Sequence, residues 1–96
     1  MKLNYANSID ACINSAIVNR CLNNNVSCVD CISTILDTYA ITIEQVAIAI
    51  GASRSYVYNQ LTEKRPVTET LKEYLIKVIG FDVIGVFQEN KEASHA

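Results

Sequence analysis

The sequence predicts an all-α fold: a compact five-helix bundle whose first helix is an N-terminal addition, followed by a short C-terminal segment of uncertain type. Three observations predict it. Apolar residues recur at three- and four-residue spacing over long stretches. Helix breakers are scarce, namely Gly51, Pro66, Gly80 and Gly85, all in the second half. Capping residues precede the periodic runs, as Ser27, Thr42 and Ser53. Half of the 96 residues are apolar, enough for one core and one domain.

The first helix is expected over about Ser8 to Leu22. Its stripe is Ile9, Ile13, Ile17 and Cys21, widened by Cys12 and Ala16. Asn23 to Asn25 end it, since Asn tolerates left-handed backbone. Ser27 opens a second helix with Asp30 three residues on, and Val29, Ile32, Leu36 and Tyr39 or Ala40 face its core. Thr42 and Gln45 form a T-x-x-Q capping box for a third helix over Ile43 to Ile50, with Val46, Ala47 and Ile50 inward. Gly51 stops it at a position that needs positive φ. Ser53 caps a fourth helix over about Arg54 to Glu63, and Pro66 blocks its continuation. A fifth runs from about Thr68 to Ile79 on Leu71, Leu75 and Val78, and Gly80 ends it. "FDVIGVF", residues 81–87, is too short for its period to choose between strand and helical turn. Residues 88–96 read as a polar, frayed tail.

Composition narrows the function. No apolar run approaches the roughly 20 residues of a membrane span. Asn7, Asp10 and Asn14 interrupt any signal-peptide core, so a cytoplasmic location without membrane attachment is expected. The net charge is −2, which argues against a generic polyanion binder. Charge is uneven, however. Between Arg54 and Lys77, five cations (Arg54, Lys64, Arg65, Lys72, Lys77) face three acids (Glu63, Glu69, Glu73), so one face can be positive.

The four cysteines, Cys12, Cys21, Cys28 and Cys31, lie in the first third. Cys28 and Cys31 make a CxxC, but there is no second pair, and the single histidine, His95, is in the tail. They read as reduced core thiols, with no metal and no cofactor. An enzyme is not expected. The chain has no Gly-rich phosphate loop, no paired acid–base constellation, and no base for a cysteine nucleophile. No small-molecule ligand is evident.

One stretch has more polar reach than a core helix needs. In "GASRSYVYNQL", residues 51–61, Val57 and Leu61 are the apolar anchors, while Arg54, Ser55, Tyr58 and Asn59 have no core to fill. One of Tyr56 and Tyr58 is expected to be a core residue with a wet hydroxyl. Two short helices joined by a tight Gly turn form a helix-turn-helix, with Ala47 small where they cross.

The stretch "TIEQVAIAIGASRSYVYNQLTEKRP" resembles the Cro/phage-repressor (XRE-type) helix-turn-helix family over roughly residues 28–80. Thr42, Ala47, Gly51, Ser53, Val57, Lys64, Arg65 and Pro66 carry the resemblance. Two places differ: Ile43 stands where a Gln is frequent, and Leu61–Glu63 replace Glu-Asn-Gly. Residues 1–25 lie outside it as the added helix.

The resemblance implies a DNA-binding transcriptional regulator, a phage or mobile-element repressor that occupies a palindromic operator on double-stranded DNA as a homodimer. Arg54, Ser55 and Asn59 are the expected base contacts: Arg suits guanine O6 and N7, Asn suits adenine N6 and N7, and Ser reaches either. Thr42, Ser53, Tyr58, Lys64 and Arg65 are the expected backbone contacts. Phe81, Ile84 and Phe87 are the expected dimer anchors, with Ile9, Ile13 and Ile17 of the first helix as the alternative. The second function is a protein-interaction module, antitoxin- or anti-repressor-like, which uses the same fold as a scaffold.

Overall fold

The computed structural model describes residues 6–94. It contains six helices: α1 (Ser8–Asn23), α2 (Cys28–Thr38), α3 (Ile43–Ile50), α4 (Arg54–Leu61), α5 (Glu69–Ile79) and α6 (Val83–Ser94). Among the described residues there is no strand, and no single helix is long and apolar enough to cross a membrane. The sixth helix resolves the C-terminal segment. Asp82 accepts from the Gly85 N–H at 3.0 Å, opening α6, which runs on through residues expected to fray. His95 lies outside the described residues.

Ser27, Thr42 and Ser53 cap their helices as expected, and Thr68, expected as the first residue of the fifth helix, caps it instead. Ser27, Thr42, Ser53 and Thr68 each accept from the backbone N–H three residues on. At Thr42 the box is complete, with Gln45 Oε1 accepting from the Thr42 N–H at 2.8 Å. Asn7 and Asp10 form a second reciprocal box on α1.

The ends of α1 to α4 share one geometry. Asn25, Ala40, Gly51 and Glu63 have φ of 57, 57, 72 and 65°, and the residue after each donates to a carbonyl five residues back. These are Schellman-type stops. Asn and Gly are suited to that backbone; Ala40 and Glu63 are not. Because Glu63 stops the chain early, α4 ends at Leu61 instead of reaching Glu63.

The core is built on α2, which buries Cys31, Ile32, Ile35 and Leu36. Around it lie Val46 and Ala47 of α3, Val57 and Leu61 of α4, Leu71, Leu75, Val78 and Ile79 of α5, and Val83 of α6. Cys31 and Ile35 extend the expected α2 face, while Ala40 is exposed in the turn.

The expected stripe of α1 is corrected. The helix buries Asn14, Val18 and Cys21, and leaves Ile9 and Ile13 69% and 56% exposed. Docking to the C-terminal end of α5 sets this orientation. The Ala6 N–H donates to Lys77 O at 2.9 Å, and Asn14 Nδ2 donates to Ile79 O at 2.9 Å and Tyr39 Oη at 3.0 Å. Two carbonyls of the last turn of α5, which have no partner within their own helix, are thus satisfied by the N-terminal segment. Gly80, at φ 106°, permits the approach: a Cβ there would lie 2.7 Å from Ala11 Cβ.

Candidate functional site

The α3–α4 hairpin is fixed at its turn before any polar group is placed. Gly51 adopts φ 72° and ψ 34°, and the Ala52 N–H returns to Ala47 O at 2.9 Å. Ala47 and Val57 are both buried at the crossing. A larger side chain at Ala47 would push the helices apart. Ser53 then accepts from the Tyr56 N–H at 3.1 Å and starts α4.

With Val57, Gln60 and Leu61 turned into the core, α4 exposes Arg54, Ser55, Tyr56 and Tyr58. Asn59 is half-buried. Neither tyrosine is a core residue: the buried face is already filled by Val57 and Leu61, and Tyr56 and Tyr58 stay 37% and 42% exposed. Thr42 and Ser53 are exposed and are occupied as caps.

The segment after α4 folds back onto it. The N–H groups of Lys64 and Arg65 both donate to Asn59 O, at 2.9 and 3.1 Å. Gln60 anchors the far side, its buried Oε1 accepting from the Thr68 N–H at 2.8 Å and Oγ1 at 3.2 Å. Arg65 is carried over the Tyr56 ring, its guanidinium carbon 5.4 Å from the centroid, within cation–π range. Arg65 therefore reaches the open face of α4, and both Lys64 and Arg65 also border a groove lined by Ile84 and Phe87.

Electrostatics on this face are mixed. The ion pairs among the described residues are Lys72–Asp82, half-buried, and Lys91–Glu63, exposed. Arg54, Lys64 and Arg65 stand outside them. Arg54 borders a shallow depression of about 340 Å³ that Asp37 and Glu44 also line, so two carboxylates share its surroundings. Ile48, on α3, is 73% exposed.

Phe81, Ile84 and Phe87 are half-buried and pack against the core cluster. Ile84 and Phe87 line a groove of about 350 Å³ with Leu61, Pro66, Val67 and Cys28.

All four thiols are free. Burial pushes the Cys28 thiol up to about 12, and the nearby Glu63 carboxylate adds to the shift. Burial also raises Cys31, which shares a hydrogen bond with Cys21. Both shifts oppose the thiolate that metal ligation or nucleophilic attack requires. Among the described residues no three His, Cys, Asp or Glu side chains converge on a metal-sized site.

Sequence reading missed three features of this architecture. Gln60 and Asn14 are buried polar anchors, and the Tyr56–Arg65 stack positions a loop cation. The first two had a signal: Gln60 shares the face of Val57 and Leu61, and Asn14 that of Val18 and Cys21, at helical spacing. The stack had none, because it depends on how the loop returns.

Comparison of the chain with family models, curated proteins and solved structures gives no match.

Proposed function

We propose that the chain is a sequence-specific DNA-binding regulator, a repressor of the phage or mobile-element kind. In this reading α3 and α4 form a Cro/repressor-type helix-turn-helix, and α4 enters the major groove. One observation carries it. An eight-residue helix, locked by a side-chain cap and a left-handed stop, holds Arg54, Ser55 and Tyr58 outward, with Arg65 stacked on Tyr56 and Lys64 next to it in the same exposed loop. The N-terminal residues of a recognition helix are the ones that meet base edges, so Arg54 and Ser55 take that role, and Asn59 follows one turn later. Lys64 and Arg65 neutralise phosphate, and Tyr58 with the caps Thr42 and Ser53 flanks the backbone. One short helix reads only half a site, so two copies act on a two-fold operator as a homodimer.

The test is duplex binding across a salt series. A phosphate-neutralising interface loses affinity linearly in log–log form. Arg54→Ala and Asn59→Ala are expected to weaken the preferred duplex by about 1–3 kcal/mol each and to relax preference at separate base pairs. Lys64→Ala and Arg65→Ala weaken all sequences alike and reduce the salt slope by about 1 each. Retention that ignores salt, or variants that leave binding unchanged, sinks the reading.

A second reading has its own observation. Asp37 and Glu44 border the Arg54 depression, and Ile48 is exposed on α3, a mixed apolar and acidic surface that suits a protein partner. A basic partner captured without salt-steep DNA binding selects this alternative.

A further inference from the structure

We infer that the groove between the loop after α4 and helix α6 binds a small amphipathic carboxylate, a molecule with one anionic end and a short apolar body. The site goes beyond DNA reading and does not depend on it.

The groove, of about 350 Å³, is within the size range of small-ligand sites. Its lining has two characters. Leu61, Val67, Ile84 and Phe87 give it apolar walls. Cys28 adds to them as a neutral thiol, since burial holds it protonated far above neutral pH. Gln60, Lys64 and Arg65 supply the polar groups from one short stretch of chain.

The charge on that stretch favours an anion. Lys64 and Arg65 are exposed and belong to neither ion pair among the described residues. Arg65 stacks on the Tyr56 ring, which orients the guanidinium without neutralising it. Glu63, the one carboxylate that lines the groove, is paired with Lys91. An anion at the groove therefore meets two cations and no acid that lacks a partner.

Gln60 points to a ligand independently of charge. It is 1% exposed, yet only half of its amide is used. Oε1 accepts from Thr68, whereas Nε2 is buried without a partner. Buried amide donors are ordinarily paired. A carboxylate has two acceptor oxygens, so one can accept from Gln60 Nε2 while the other accepts from Lys64 or Arg65.

Volume sets the length of the apolar body. At about 30 Å³ per water-sized group, the groove holds roughly a dozen non-hydrogen atoms. That is the size of a medium-chain fatty acid.

Octanoate is the probe, titrated into the full chain without DNA while backbone amide shifts are followed by nuclear magnetic resonance. Saturable shifts are expected at residues 60–67 and 84–88. Butanoate should bind more weakly, because it leaves the apolar walls uncovered. Octan-1-ol, the neutral counterpart, should bind about tenfold more weakly than octanoate. Lys64→Ala/Arg65→Ala, at two exposed positions, should erase that preference at unchanged helical signal. Absence of saturation up to low millimolar octanoate overturns the proposal, as do shifts centred away from the groove or equal binding of octan-1-ol. Because no DNA is present, failure of the DNA-binding reading would leave this outcome unchanged, and the reverse also holds.

Discussion

Gly80→Ala and Gly51→Ala form a matched pair that separates backbone strain from packing. Both glycines have positive φ, 106° and 72°. A Cβ at Gly51 would have nothing within 4 Å. Its substitution therefore costs only the left-handed penalty, about 1–2 kcal/mol, offset by about 0.4–1 kcal/mol from a less flexible unfolded chain. The net loss is about 1 kcal/mol. At Gly80 the Cβ would sit 2.7 Å from Ala11 Cβ and 3.0 Å from Ala11 Cα. The second contact is backbone, so α1 itself must move. Overpacking of that kind adds about 1–3 kcal/mol and weakens the hydrogen bonds that Ala6 and Asn14 make to the end of α5. For a domain of this size, about 1 kcal/mol shifts the melting temperature by about 4–8 °C. Gly51→Ala should fall by roughly that amount, and Gly80→Ala by about two to four times as much. Thermal and urea unfolding followed by circular dichroism measure both. Equal losses at the two positions would refute the close docking of α1 at Gly80.

Asn14→Ala should destabilise by about 1–3 kcal/mol, because it leaves Ile79 O buried without its donor; urea midpoints check this, and an unchanged midpoint would mean the amide is dispensable. Ala40→Gly should stabilise, since relief of about 1–2 kcal/mol of left-handed strain exceeds the roughly 0.5–1 kcal/mol entropy cost of Gly; a lower melting temperature would contradict it. The Cys28 thiol ionises near 9 when unfolded and at about 12 when folded. The unfolded chain therefore holds fewer protons in that window, and the linked stability, complete below pH 9, falls as pH rises toward 12. Cys28→Ala should flatten that slope in urea titrations; an unaltered slope would show that Cys28 does not carry it.

Much of the fold was legible because caps are local chemistry. Ser27, Thr42 and Ser53 each satisfy a free N–H three residues away, so sequence spacing suffices to find them, whereas Thr68, which does the same, was read as part of its helix. Gly51 was legible for the same reason. Ala40 and Glu63 were not, since neither residue favours the left-handed backbone that the surrounding packing imposes on it. The orientation of α1 was misread for a different cause. Both its faces carry apolar residues, so periodicity alone chose the isoleucines. What decides the face is a long-range contact, Asn14 reaching Ile79 and Ala11 meeting Gly80, which no local pattern encodes. The last helix was obscured by its short apolar run, and the Asp82 cap that starts it was overlooked. On the candidate site, the outward placement of Arg54 and Ser55 followed from helical spacing, whereas the Tyr56–Arg65 stack required the returning loop.

Selection from random duplexes tests the central claim, DNA reading by α4, most directly. The wild-type chain should enrich one motif, with two related half-sites about one helical turn apart, or 34–36 Å. Arg54→Ala and Asn59→Ala should each lose information at a different base pair of that motif. Failure to enrich any sequence above the starting pool would contradict the claim, and so would an enriched motif left untouched by both substitutions.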